Sequence, residues 1–196
     1  PAKIGINGPK GTIRRMAWNV KKTIVLVGMM GAGKSAVGKA LAARLGVGFL
    51  DSDAEIERAA AMTIPEIFER DGEPFFRARE AQVIERLLAS HQGILSTGGG
   101  AFMSAETRQT VTRLGVSVWL NAPLETLWNR VRHKETRPLL KTPDPKGTLT
   151  TIYEKRTPIY ALADVSVTVQ GRWSVEDTTS AVIAALKSRP DVMEEI

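Results

Sequence analysis

Cysteine is absent from the 196-residue chain, which removes disulfides, thiolate metal sites and a cysteine nucleophile and agrees with a reducing cytoplasmic setting. No apolar run approaches the roughly 18 residues needed to cross a bilayer, and the first residues lack the apolar centre of a signal peptide. A membrane partner is therefore not expected. Aromatic residues make up only 6%, and Trp18, Trp119, Trp128 and Trp173 form no stripe suited to base stacking. What remains is 43% hydrophobic and 24% charged, which fits one globular core and excludes collagenous, low-complexity or wholly disordered chains.

Acidic residues are missing from one stretch. Residues 1–22 hold Lys3, Lys10, Arg14, Arg15, Lys21 and Lys22 with no Asp or Glu, and the other 21 basic side chains face 21 acidic ones, so the net charge of +6 belongs to this segment. The body is formally neutral and offers no field for nucleic-acid phosphates. Gly5, Gly8, Pro9 and Gly11 disfavour regular structure. Residues 1–22 are thus expected to form a flexible basic extension, with a contact to an anionic partner or a targeting remnant as alternatives, and the folded domain to span 23–190.

Along the body, strand and helix patterns alternate. The β-branched run Thr23–Val27 reads as a strand buried on both faces, and Lys34–Leu45 carries Val37, Leu41 and Leu45 at helical spacing before Gly46. Further strands are expected at 49–51, 94–96, 116–120 and 165–169. Helices are expected at 54–62, 63–70, 75–90, 104–114, 123–133, 149–162 and 174–187. The stretch 134–150, with Pro138, Pro143, Pro145 and Gly147, reads as a long loop of the kind that serves as a lid. This alternation predicts an α/β fold with a parallel sheet covered on both faces.

Between the first strand and helix lies Gly28-Met29-Met30-Gly31-Ala32-Gly33-Lys34-Ser35, the P-loop spacing. A strand entering and a helix leaving make consecutive backbone N–H groups and the positive end of the helix dipole converge on one point. Phosphates belong there: Gly31, Ala32, Gly33 and Ala36 supply backbone, Lys34 bridges phosphate oxygens, and Ser35 can hold Mg2+ beside ATP. The loop alone does not separate a kinase from a switch or a binding module.

Four separated motifs go further: Asp51-Ser52-Asp53, Asp71-Gly72-Glu73 with Phe76-Arg77 and Glu80, Ser96-Thr97-Gly98-Gly99-Gly100, and Arg137-Pro138-Leu139-Leu140. A fifth, Arg156-Thr157-Pro158-Ile159-Tyr160, follows the loop. With these the chain from Thr23 to its last helix resembles the shikimate kinases. That resemblance implies a P-loop NTPase fold with a five-stranded parallel sheet flanked by helices, nucleoside-monophosphate-kinase-like, with a mobile lid. It implies a monomeric cytoplasmic enzyme with ATP, Mg2+ and shikimate as its partners.

Shikimate is an acidic cyclic triol, so its pocket needs cations for the acid and acceptors for the hydroxyls. Arg77 and Arg156 provide forked donors for a carboxylate. The resemblance gives Asp53 the substrate hydroxyls and a part in deprotonating the attacking oxygen, and gives Asp51 the metal together with Ser35. It makes Gly98, Gly99 and Gly100 backbone lining of the pocket, and Phe68 and Phe76 an apolar wall. Arg137 becomes the lid arginine that joins Lys34 in catalysis, and Arg130 and Arg172 become adenine contacts. Plain alternatives stand beside these roles: Asp51 and Asp53 as helix caps, Phe68 as core packing, Arg130 as a solvated cation. Glu80, three residues after Arg77, is placed to orient its guanidinium. His91 and His133 match no catalytic position and read as surface residues. Within enzymes the nearest rival is a gluconate-type or nucleotide kinase.

Overall fold

The computed structural model describes residues 17–134 and 138–196. Seven strands and eight α-helices follow one another among them, beginning with β1 (Trp18–Val20), β2 (Thr23–Val27), α1 (Lys34–Leu45), β3 (Gly48–Asp51), α2 (Ser52–Ala60), α3 (Ile64–Asp71), α4 (Glu73–Ser90) and β4 (Gly93–Ser96). The second half comprises α5 (Ala105–Leu114), β5 (Gly115–Asn121), α6 (Leu124–Val131), α7 (Pro145–Tyr160), β6 (Val165–Thr168), α8 (Val175–Leu186) and β7 (Met193–Glu195).

β2 is buried along its whole length because it is the central strand of a five-stranded sheet ordered β3-β4-β2-β5-β6, parallel throughout. A strand covered on both faces has no use for polar alternation, hence its unbroken apolar run. The connection from β2 runs to one edge and that from β4 to the other side of β2. The two neighbouring strands thus open a crevice at their carboxyl ends, where such sheets bind ligands. α1 packs against α8 and over β3 and β4, while α4 packs against α5, which lies over β5. Gly38 permits the close approach of α1 to β3, since a Cβ there would sit 2.5 Å from the Phe49 ring.

Local chemistry sets the helix ends. α1 stops at Gly46 in the left-handed conformation, and Thr63 with Glu66 and Ser174 with Asp177 form capping boxes for α3 and α8. Three expectations change. The loop 134–150 is shorter than its proline content suggested, because Pro145 occupies the first turn of α7 and Asp144 caps it by accepting from Gly147 N at 3.0 Å. The chain ends also shift. Residues 17–22 are not an irregular leader, and the body does not stop near 190: β1 pairs antiparallel with β7.

This terminal clasp is fastened by Lys21 N donating to Val192 O at 2.7 Å and Ile196 N to Ala17 O at 2.9 Å, with Val192 and Met193 buried beneath it. Lys21 and Lys22 hold Glu194 and Asp191 at 2.8 and 3.1 Å. His91 is also not a plain surface residue. Its ring fills the space over Gly48 and Gly93, where added Cβ atoms would lie 3.0 and 2.8 Å from it. The ring's Nε2 is buried without a hydrogen-bond partner among the described residues.

Candidate active site

At the end of β2 the backbone turns through Gly28, Gly31 and Gly33, with φ of 143°, 80° and 93°. These values exclude most side chains at the turn and aim its N–H groups at the mouth of α1. The Lys34 ammonium folds back to donate to Gly28 O at 2.8 Å and Met29 O at 3.0 Å, spanning the loop as a bound anion would be spanned. Ser35 opens the helix beside it and donates to Asp51 Oδ2 at 2.9 Å.

Asp51 ends β3 and does two things with its two oxygens. Oδ1 caps α2 by accepting from Asp53 N at 2.9 Å and Ala54 N at 3.3 Å, while Oδ2 faces the phosphate loop. Capping and a place in the site are therefore not alternatives for Asp51. Asp53, in the first turn of α2, has its carboxyl pushed up to about 6, chiefly by burial, with the Asp51 and Glu80 charges adding to it and Lys34 opposing.

The triplet after β4 faces the candidate acceptor pocket, each glycine against one charged side chain. A Cβ on Gly98 would sit 2.7 Å from Asp53 Oδ1, one on Gly99 3.0 Å from Arg156 Nη1, and one on Gly100 2.5 Å from Arg77 Nη2. Each glycine thus admits one charged side chain against bare backbone. From Gly99 the same point lies 3.7 Å from Gly28 O, so the pocket and the phosphate turn share a wall.

Arg77, on α4, donates to Glu80 Oε2 at 2.8 Å, and its far edge reaches Glu73 at 3.4 Å. Burial works against its charge, but Glu80 and Glu73 outweigh that and hold its pKa above the ordinary value. Glu80 is only 2% exposed; burial raises its carboxyl pKa, while Arg77 and Arg156 act in the opposite sense. The bonded Arg77 and the charge of Arg156 offset part of that cost of desolvation. The Phe76 ring is buried under Arg77 at 5.2 Å and lies 4.7 Å from Phe68, which is half-buried.

On the other side of the turn, the half-buried Arg130 of α6 donates to Gly31 O at 3.0 Å, which puts it beside the phosphate loop. Arg172 lies exposed in the turn after β6. That turn abuts the same helix: a Cβ on Gly171 would be 2.8 Å from Thr126 Oγ1, one turn before Arg130. Ala32 and Ala36 sit in the loop and the first turn of α1. Arg137 lies outside the described residues.

Tyr160 escaped the sequence reading as a site residue although it belongs to a quoted motif. Its ring is fully buried at the end of α7, and its hydroxyl donates to Gly99 O. The signal available was its spacing of four from Arg156, which puts both on one helix face.

Two guanidiniums, buried and half-buried carboxylates and a glycine turn at the mouth of a helix thus converge at the carboxyl ends of β2, β3 and β4. A sequence model described as shikimate kinase matches residues 30–187. The shikimate kinase of Ruegeria pomeroyi is 60% identical over 98% of both chains, and that of Cereibacter sphaeroides 55% identical over 98% of this chain and 96% of its own. The structure of shikimate kinase from Acinetobacter baumannii in complex with shikimate superposes with a TM-score of 0.80 at 38% identity, covering 85% of this chain and 93% of that one. With sequence agreement running nearly end to end and the sheet and its crevice shared in three dimensions, the chain belongs to the shikimate kinase family.

Proposed function

We propose that the protein transfers the γ-phosphoryl group of ATP to the 3-hydroxyl of shikimate, giving shikimate 3-phosphate and ADP on the route to chorismate and the aromatic amino acids. The observation that carries this reading is the triplet Gly98-Gly99-Gly100, whose three backbones face Asp53, Arg156 and Arg77 while Gly99 abuts the phosphate turn at Gly28. Gluconate also carries a carboxylate, but two guanidiniums around a rigid apolar wall of Phe76 and Phe68 suit a ring acid better than an open chain or a base.

In this mechanism the N–H groups of Gly31, Ala32, Gly33, Ser35 and Ala36 hold the β-phosphate. Lys34 exchanges its two loop carbonyls for phosphate oxygens and offsets the charge that spreads in the transition state. Arg77 and Arg156 grip the carboxylate and, with Gly98–Gly100, orient the ring. Asp53 accepts from the attacking hydroxyl and draws its proton, a task suited to an acid whose pKa of about 6 leaves it ionised but basic near neutrality. Arg137, by its motif, covers the phosphates when the lid closes and keeps water out, with Arg130 and Arg172 at the adenine end.

Ser35 and Asp51 fit Mg2+ as a pair of hard oxygen donors 2.9 Å apart beside the loop, a sparse set for an ion that keeps several waters and takes its remaining ligands from phosphates. When bound, Mg2+ supplies neutralisation of β- and γ-oxygen charge. We take the enzyme to be a cytoplasmic monomer with small-molecule partners, needing neither nucleic acid nor membrane. No helix among the described residues is long and apolar enough to cross a membrane. An ADP-release assay with shikimate, gluconate and nucleoside monophosphates tests the proposal: saturable turnover with shikimate alone is expected, and comparable turnover with another acceptor overturns it.

A further inference from the structure

Tyr160 stands where the two halves of the site meet. Its hydroxyl donates to the carbonyl of Gly99, and the Arg156 guanidinium, one helical turn earlier, faces the same hydroxyl. The point where a Gly99 Cβ would stand lies 3.0 Å from Arg156 Nη1, 3.6 Å from Tyr160 Oη and 3.7 Å from Gly28 O. The Tyr160 ring stacks on Trp119 of β5 at 6.2 Å and on Phe102 at 6.5 Å. Trp119 in turn lies beside the entry to the phosphate turn, 3.5 Å from where a Gly28 Cβ would be. The ring is held by packing, and the hydroxyl reaches the Gly99 carbonyl at the pocket wall.

We infer that Tyr160 is a positioning residue for the acceptor: its hydroxyl fixes the Gly99 carbonyl and the Arg156 guanidinium relative to each other, so that the carboxylate grip keeps one spacing from the phosphate turn. The inference rests on the proposed function and deepens it. An arginine side chain has several rotatable bonds, and ordering it only on binding weakens affinity. A buried hydroxyl partner orders it beforehand. Burial also raises the tyrosine's pKa, so the hydroxyl stays a neutral donor in the working range. Toward the phosphate turn the Tyr160 ring stacks on Trp119, and that ring is retained when the hydroxyl alone is removed.

The test is Tyr160→Phe, which keeps the ring and both stacks. Its KM for shikimate, and the Kd for shikimate read by calorimetry without turnover, are expected to rise about tenfold, the loss of one buried hydrogen bond and the order it imposes. KM for ATP should stay within about twofold and kcat within about threefold. Tyr153→Phe, removing the chain's other tyrosine hydroxyl from the same helix, should leave all of them within about twofold. An unchanged shikimate KM in Tyr160→Phe overturns the inference whatever happens to its melting temperature. So does an equal worsening of the ATP KM and kcat, the signature of general damage to the fold.

Should Tyr160→Phe not fold, 3-fluorotyrosine incorporated into the Tyr153→Phe protein gives one fluorine resonance, that of Tyr160. Its displacement as shikimate saturates supports the role, and a resonance unmoved by saturating shikimate refutes it. Absence of shikimate-dependent turnover in the unaltered protein removes the proposed function and this inference together. Turnover with an unaffected Tyr160→Phe removes the inference alone.

Discussion

The acceptor pocket and the terminal clasp both pair carboxylates with cations, and solvent makes them opposites. In the pocket, Glu80 is buried and its carboxyl is raised by that burial, with Arg77 and Arg156 acting in the opposite sense. In the clasp, Asp191 and Glu194 lie in water with their carboxyls lowered, the first mainly by Arg189 and Lys22, the second mainly by Lys21. A charge stripped of water must be compensated by fixed neighbours, so a buried pair fixes geometry. An exposed pair has water as a ready substitute, so it adds little to a clasp already held by backbone bonds and apolar burial.

Removing residues 191–196 attacks what holds the clasp rather than its charges. Loss of the buried Val192 and Met193 side chains, each about 2 kcal/mol, should lower the melting temperature by roughly 10 °C. Shikimate and ATP KM values should not move; a large change in either would mean that clasp and pocket are coupled. The pocket's counterpart is Arg77→Ala, which leaves Glu80 buried beside a single guanidinium. Shikimate affinity should fall by about 30-fold, or 2 kcal/mol, with the ATP KM held within about threefold. Wild-type affinity in this variant would reject the pocket assignment.

A smaller effect concerns Asp53. Its carboxyl is raised to about 6 in the folded chain from 3.8, so between those values the folded state binds the proton more tightly than the unfolded state. Stability from this group falls as pH rises through that window, and the penalty is complete above about pH 6. Asp53→Asn should therefore be more stable than the parent at pH 8 by about 1–2 kcal/mol, allowing for partial exposure. Melting curves should show that advantage shrinking toward pH 4, while turnover collapses. The same group predicts that kcat/KM of the unaltered enzyme rises to a plateau across about pH 6. Smallest of all is Lys21→Ala: the melting temperature should move by no more than about 2 °C, and less at high salt. A drop as large as that of the truncation would mean that the exposed pair carries the clasp after all.

The elements legible in the sequence were those whose causes are local. Thr23–Val27 announced a buried strand through its short run rich in β-branched residues, and Lys34–Leu45 a helix through its period and its terminal Gly46. Thr63 and Ser174 marked helix starts because a capping side chain bonds backbone two or three residues away. The strands Trp18–Val20 and Met193–Glu195 were not legible. Each is three residues long, polar in part, and stable only against the other across the whole chain. Pro145 was read as a loop residue because proline serves a loop and a first helical turn equally well; the Asp144 cap decides between them.

Within the site, residue types and spacing were enough to nominate the glycine turn with Lys34 and Ser35, whereas Asp51, Asp53, Arg77, the glycine triplet and Arg156 were nominated by the resemblance of their motifs to the shikimate kinases, with which the chemistry of carboxylate and hydroxyl recognition agrees. Which partner each would meet was decided only by the tertiary structure. The assignment of Gly98 to Asp53, Gly99 to Arg156 and Gly100 to Arg77 and the bond from Tyr160 to Gly99 all depend on distances between segments far apart in the chain. Sequence carries chemical identity and local backbone preference; contact and desolvation arise when the sheet brings its carboxyl ends together.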